Sequence, residues 1–309
     1  MIDNQRCSVI AVIGAPNAGK STLVNIMVGA KVSIVTQKVQ TTRARIRGIT
    51  VEDDVQLVFI DTPGIFSPRR KLDRAMVAAA WDGLDGADAV LLMIDAPGWL
   101  DGETEKGAAG RSRADAERII DGLKKADRKA VLVVNKIDAL PRDRLLKLVQ
   151  ELNDTGVFTD VFLVSAKNGD GIADLKAHLL KTAPPGPWLY PEDQLSDISD
   201  RLMAAEVTRE KLFLRLHQEL PYDATVETED WKESKTGVRI EQTIYVAREG
   251  QKGIVLGKNG QTLKAIGQAA REELGALLGA PVHLFIHVKV RENWAEETAR
   301  LRQIGLEGA

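Results

Sequence analysis

The stretch that most constrains this chain is Gly14-Ala15-Pro16-Asn17-Ala18-Gly19-Lys20-Ser21. It follows an apolar run, Val9-Ile10-Ala11-Val12-Ile13, and precedes a helical pattern with Leu23, Ile26 and Met27 on one side. Strand, glycine-rich loop and helix in that order are the setting of a phosphate-binding loop. The glycines let the backbone curl so that N–H groups point inward, and the positive end of the following helix completes an anion cradle. Lys20 adds charge for the outer phosphates, the Ser21 hydroxyl can ligate Mg²⁺, and Thr22 follows at the rim of the same nucleotide site. The bland alternative, a glycine turn that merely opens a helix, is outweighed because all eight positions match in context.

The 309 residues suffice for two domains. With 44% hydrophobic and 28% charged residues this is an ordinary globular composition, and the net charge of −2 gives no global reason to expect a polyanion or an acidic membrane. Cys7 is the only cysteine, so no internal disulfide forms; a lone thiol beside a core strand fits a reducing cytosol and is expected to pack. No secretory signal is visible, and no apolar run approaches the roughly 18 residues of a membrane span. A cytoplasmic location is expected.

After the first helix, residues 29–35 read as a short strand and 36–43 as a polar, mobile loop. Residues 46–51 and 55–60 read as paired strands turning at Glu52-Asp53-Asp54. The second delivers Asp61-Thr62-Pro63-Gly64 at its carboxyl end, the ligand edge of an α/β sheet. Asp61 can hold the Mg²⁺ shell through water, and the Gly64 N–H can approach a γ-phosphate because no Cβ intervenes. Alone, Asp-Thr-Pro-Gly is a plain turn; about 40 residues after a phosphate loop it is a nucleotide motif. Further helices are expected over 73–84, 111–126, 142–152 and 171–180, strands over 87–95, 130–134 and 161–164, and a solvated loop over 97–110.

Asn135-Lys136-Ile137-Asp138 directly follows a buried strand and decides the base. The Asp138 carboxylate can accept two hydrogen bonds from guanine, from N1–H and the 2-amino group; adenine offers no such pair and would leave the carboxylate unpaired. Asn135 can bond N7, and the Lys136 stem can cover the ring face. At the end of the next strand, Ser165-Ala166-Lys167 offers the Ala166 N–H to guanine O6.

Pro184-Pro185-Gly186-Pro187 closes the first domain, and Trp188-Leu189-Tyr190-Pro191 reads as an extended segment whose aromatics dock it. Beyond it the order is a long helix over 198–220, strands over 224–231 and 238–248, a helical turn over 251–256, a helix over 261–278, a strand over 282–290 and a solvated tail over 291–297. Gly257-Lys258-Asn259-Gly260 lies between the last two helices, behind Ile254-Val255-Leu256. From Asp197 onward Lys and Arg number 16 against 18 Asp and Glu, so any basic surface is local, from Arg248, Lys252, Lys258 and Lys264.

Taken together, residues 7–182 resemble the translation-factor-related small GTPases, and the Gly-Lys-Asn-Gly context resembles a bacterial-type KH domain. With Tyr190-Pro191-Glu192-Asp193-Gln194-Leu195 and Val288-Lys289-Val290-Arg291-Glu292-Asn293-Trp294, nearly the whole chain resembles the Era family of bacterial ribosome-assembly GTPases. The resemblance implies an α/β P-loop GTPase domain over 1–183, with a mixed, mostly parallel sheet, a linker over 184–196, and an α+β type II KH domain over 197–309. It makes Thr42, in Gln40-Thr41-Thr42-Arg43, the switch threonine that ligates Mg²⁺ with Ser21 and Asp61 and senses the γ-phosphate. It assigns single-stranded RNA to Ile254, Gly257, Lys258, Asn259, Gly260 and Lys264.

It further implies a monomer that binds GTP and GDP, holds the 3′ region of 16S ribosomal RNA, assists assembly of the 30S subunit and associates peripherally with the membrane. One position departs from Ras-like enzymes: Ile65 stands where a water-orienting glutamine would be. Catalysis then falls to Asn17, Lys20, Thr42 and Gly64, with slow turnover. In related GTPases an asparagine at the Asn17 position helps hold a potassium ion, so K⁺ joins Mg²⁺ as an expected cofactor. The alternative is a GTP-binding RNA chaperone with negligible turnover.

Overall fold

β1 (Arg6–Gly14) is almost uniformly apolar because it is central. In the computed structural model, which describes residues 4–103, 107–216 and 220–306, β1 lies between β3 (Val55–Asp61) and β4 (Ala89–Asp95) and runs parallel to both. β5 (Ala130–Asn135) and β6 (Phe158–Val164) continue the parallel set, while β2 (Ile46–Glu52) pairs antiparallel with β3 at the opposite edge. The order is β2-β3-β1-β4-β5-β6. Helices cover both faces, as a buried parallel sheet demands. Leu23 and Met27 of α1 (Lys20–Val28) and Leu175 of α6 (Ile172–Thr182) pack with Ile10, Val12 and Phe59. On the other face Ala80 of α2 (Lys71–Asp82), Ile119 of α4 (Ala108–Lys125) and Leu148 of α5 (Arg142–Asn153) pack with Ile13 and Leu92. Because β1, β3, β5 and β6 are parallel, their carboxyl ends deliver all four expected nucleotide motifs to one sheet edge.

Several expectations are corrected. Residues 29–35 form no strand: Asn25 Oδ1 accepts the N–H groups of Val32 and Ser33, both at 2.9 Å, and Asn25 Nδ2 donates to the Ser33 carbonyl at 2.8 Å. One side chain thus takes the bonds a ladder would have supplied. Within the 97–110 segment, expected as solvated loop, α3 (Ala96–Asp101) forms instead, and its Trp99 is buried. Asp95 caps it by accepting from the Gly98 N–H, Trp99 Nε1 donates to Glu151 at 3.2 Å, and the Arg113 guanidinium stacks 4.6 Å from the indole. Residues 104–106 of that segment lie outside the described residues. The strand turn contains only Asp53 and Asp54, since Glu52 pairs with Val55.

The chain divides into two units, Met1–Ser33 with Thr42–Asp197, and Ile34–Thr41 with Ile198–Ala309. The proline-rich segment after α6 is built into the first. Gln56, fully buried, accepts from the Leu189 and Tyr190 N–H groups and donates to the Tyr190 carbonyl at 2.8 Å. Trp188 and Tyr190 pack on Cys7, Ile49 and Val58. Asp197 pairs with Arg47 at 2.8 Å. The aromatics therefore dock the segment, and Cys7 packs as expected, its thiol pushed up by burial.

In the second unit α7 (Asp200–Arg215), β7 (Ala224–Ser234), β8 (Gly237–Val246), α8 (Glu249–Leu256), α9 (Gln261–Leu278) and β9 (Val282–Val290) follow the expected α-β-β-α-α-β order. The sheet is β7-β8-β9, antiparallel then parallel. α7 ends before the expected 220, and 217–219 lie outside the described residues. Its buried Arg209 and Glu210 hold the Ile34–Thr41 segment: Glu210 accepts from the Val35 N–H at 2.9 Å, and Arg209 donates to the Thr41 carbonyl. The tail is solvated at Arg291, Glu292, Asn293 and Glu296 but not throughout. Trp294 is buried with Nε1 donating to the Asp223 carbonyl at 2.9 Å, and α10 (Thr298–Gln303) sets Arg300 over the Tyr245 ring. Among the described residues no helix is long and apolar enough to cross a membrane.

Candidate functional site

The loop between β1 and α1 brings its own backbone toward Lys20. Lys20 Nζ donates to the carbonyls of Gly14 and Ala15 at 3.1 and 3.0 Å and is buried. Burial lowers its pKa to about 8, with the Asp61 charge opposing the shift. A buried ammonium so held is matched to anionic oxygens arriving at the loop, which would restore its full charge. Asn17 is exposed at the crest of the loop in a left-handed conformation, φ 64°.

Asp61 ends β3 inside the sheet edge and is fully buried. Its Oδ2 accepts from Ser21 Oγ at 2.7 Å and Thr42 Oγ1 at 3.4 Å, and the two hydroxyls lie 2.8 Å apart. Burial raises the Asp61 carboxyl, while the Ser21 hydroxyl and the Lys20 charge pull it back. Asp61 Oδ1 is buried and completes no hydrogen bond. Two hydroxyls and a carboxylate with a spare oxygen form a hard-oxygen donor set, which suits Mg²⁺. Among the described residues no group of three or more His, Cys, Asp and Glu side chains gathers to hold a metal.

Gly64 passes close to the loop: a Cβ there would meet Pro16 backbone atoms at 2.9 Å. Only glycine brings this N–H so near the phosphate loop. Thr62 Oγ1 donates to the Val12 carbonyl at 2.7 Å, pinning the turn that also carries Pro63. Ile65 donates its N–H to the Gly14 carbonyl at 3.1 Å and buries its side chain in the core. The position after Gly64 is therefore a packing position as well as one lacking a polar group.

On the base side, Ser165 Oγ donates to Asp138 Oδ1 at 2.7 Å, which orients an exposed carboxylate. Asn135 is bonded on both sides of its amide. Its Nδ2 donates to the Ala18 carbonyl at 2.8 Å and its Oδ1 accepts the Ala166 N–H at 2.9 Å, so one side chain ties the phosphate loop to the β6 end. Lys136, at φ 65°, reaches Asp95 at 2.7 Å, and Lys167 is exposed. The polar residues that the motifs supplied thus interlock. The residues sequence reasoning missed are supporting ones: Asn25, Ser33 and Asp95 carry no motif signal.

The second candidate surface surrounds the turn Lys258–Gly260. Gly257 has φ 70°, and a Cβ there would lie 2.1 Å from Thr262 Oγ1, so the turn admits only glycine. Lys258, Asn259 and Lys264 are exposed, and Ile254 is 58% exposed although its neighbour Val255 is buried. Asn259 is left-handed, φ 52°. An apolar side chain, two ammonium groups and open backbone at one turn can meet a base and a phosphate.

Comparison with known proteins finds relatives for both halves of the chain. Residues 9–136 match the family model for 50S ribosome-binding GTPases, and residues 219–295 match that for the KH domain. GTPase Era of Caulobacter vibrioides is 60% identical over 305 residues, covering 98% of this chain and 96% of the relative. GTPase Era of Agrobacterium fabrum is 56% identical over 303 residues, covering 98% and 92%. Among solved structures, Era in complex with MgGDPNP and nucleotides 1506–1542 of 16S ribosomal RNA is similar at TM-score 0.90 and 36% identity, covering 98% of this chain and 99% of that one. Aquifex aeolicus Era bound to GDP and AlF4⁻ is similar at TM-score 0.88 and 35% identity, with 98% and 99% covered.

Proposed function

This chain belongs to the Era family of GTPases, and from that premise we propose that it is a GTP-hydrolysing switch that binds the 3′ region of 16S ribosomal RNA and assists assembly of the 30S subunit. The observation that carries the nucleotide half is the convergence of Ser21, Thr42 and Asp61 beside the buried Lys20. Mg²⁺ held by Ser21, Thr42 and the Asp61 shell supplies positive charge against the phosphate oxygens. Lys20 places its ammonium on the outer phosphates. The Gly64 N–H faces the γ-phosphate, and Thr42, whose hydroxyl answers to the same carboxylate as Ser21, carries its presence into the loop. Asp138, oriented by Ser165, selects guanine; Asn135 braces the pocket; the Lys136 stem covers the base.

Ile65 gives no hydrogen bond to an attacking water, so turnover is slow and needs a further charge. Asn17 is the residue we assign to K⁺ beside the phosphates. Turnover is expected to rise when K⁺ replaces Na⁺, and equal rates in the two salts would remove K⁺ from the mechanism. The turn at Gly257, Lys258, Asn259 and Gly260, with Ile254 and Lys264, clamps single-stranded RNA. We place the protein in the cytoplasm as a monomer with peripheral membrane association.

The test pairs two measurements on the purified protein. Phosphate release from GTP should exceed background and vanish with Lys20→Ala, and an RNA carrying the 16S 3′ region should outcompete a scrambled RNA of equal length. GTP binding without phosphate release would favour the RNA-chaperone reading, and equal RNA competition would overturn the ribosomal assignment.

A further inference from the structure

Asp95 ends β4 and belongs to no nucleotide motif, yet its carboxylate serves two neighbours. Oδ2 accepts from Lys136 Nζ at 2.7 Å, and Oδ1 accepts the Gly98 N–H at 3.3 Å. One side chain therefore joins the lysine of the base loop to the first turn of α3. The pair is partly shielded, with the Lys136 side chain 38% exposed and that of Asp95 14%. Gly98 shows that this placement is specified. It lies inside α3 and has no left-handed φ that would call for glycine, and glycine is otherwise unfavourable in a helix. A Cβ there would come within 3.1 Å of Asp95 Oδ2, 3.2 Å of its Cγ and 3.2 Å of Ser112 Oγ. The missing Cβ leaves the carboxylate room to stand against Lys136.

We propose that Asp95 is a positioning residue for guanine-nucleotide binding: it holds the Lys136 ammonium at the end of β4, so that the lysine stem is already ordered where the base face arrives. The inference rests on the nucleotide reading above. A free lysine carries much rotamer entropy, and ordering it before the ligand comes lowers the cost of binding. Asp138 reads the edge of the base, whereas Asp95 acts only through Lys136. The shared carboxylate adds a consequence. α3 is anchored by Trp99 on Glu151 and Arg113 and is capped by the same Asp95. Displacing α3 then frees Lys136 and speeds nucleotide release, which makes this short helix a lever on the base pocket.

The test follows release of a fluorescent GDP from the full-length chain. Asp95→Asn keeps a side-chain cap for α3, so its melting temperature should match the parent's while release quickens about three- to tenfold. Lys136→Met keeps the stem and removes the charge; it should quicken release to a similar extent, and adding Asp95→Asn to it should change nothing further. Gly98→Ala should act in the same direction, and only while Lys136 is present. Asp138→Ala is the reference for the base pocket, and unaltered release there overturns the nucleotide reading itself. With that reference shifted, Asp95→Asn release equal to the parent's overturns the role of Asp95 alone. Additive effects of Asp95→Asn and Lys136→Met assign Asp95 to the fold rather than to Lys136 and also overturn the proposal.

Discussion

The nucleotide site and the RNA-facing turn are built on opposite plans. Around the phosphate loop most of the working groups are buried and bonded to one another: Lys20, Asp61, Thr42, Asn135 and Ser165 are all below 9% exposed, while Asn17 and Asp138 are exposed. Around Gly257 they are exposed, and the backbone rather than side-chain bonding sets the shape. The difference suits the ligands proposed for the two sites. A triphosphate and one base present fixed charges that preorganised dipoles must meet without delay. A flexible RNA strand brings repeated charge and stackable bases, which a narrow turn and an open apolar side chain accommodate.

The comparison is broken most severely at the base pocket. Asp138→Ala removes two charge-assisted bonds of about 1.5–3 kcal/mol each, so GTP affinity should fall by about 10²–10⁴-fold in calorimetry, with ATP binding no better and RNA affinity unaltered. A parallel loss of RNA affinity would mean that the two plans are not separable.

The next effect is one of pH. The free Lys20 ammonium has a pKa lowered to about 8 by burial, and phosphate oxygens raise it on binding. Below that pH the lysine is already charged and affinity is flat; above it binding must take up a proton, so GDP affinity falls by up to about tenfold per pH unit. The exposed lysines of the RNA turn should give no such break near pH 8, and a break at the same pH in RNA binding would contradict the contrast.

Smaller effects belong to the exposed site. Gly257→Ala forces a Cβ to 2.1 Å from Thr262 Oγ1, and RNA affinity should drop about tenfold because the turn must open. Lys258→Ala should weaken binding only a few-fold while lowering the slope of log affinity against log salt by about one. Loss of affinity with an unchanged salt slope would place Lys258 off the phosphate backbone.

How much of this was legible in sequence follows the same division. Strands with both faces covered, such as β1 and β5, are continuous apolar runs, and their motifs sit at their ends by necessity. The second unit's element order was readable from alternation and from the Gly-x-x-Gly turn. What was hidden depends on single anchors. α3 is six residues long and is held by one indole and one cap, too short to show a period. Residues 29–35 look like a strand by composition, yet Asn25 takes the backbone bonds of Val32 and Ser33. Trp294 was the available sign that the tail packs, and the charges around it obscured that. In the site, Asp95, which holds Lys136, and Asn25, which holds the backbone of Val32 and Ser33, have no pattern because their role exists only once the chain is folded.

The central claim is that nucleotide state governs RNA holding, and it rests on Thr42 answering to the metal site while its neighbour Thr41 is held by Arg209 in the second unit. A ligand shifts such a balance only through its differential affinity for the two states. The direct measurement is the affinity of the full-length chain for the 16S 3′-region RNA, loaded in turn with a non-hydrolysable GTP analogue and with GDP in the same Mg²⁺ and salt. Binding at least tenfold tighter with the analogue, about 1.4 kcal/mol, is the expected result. Equal affinity in the two states would contradict the switch.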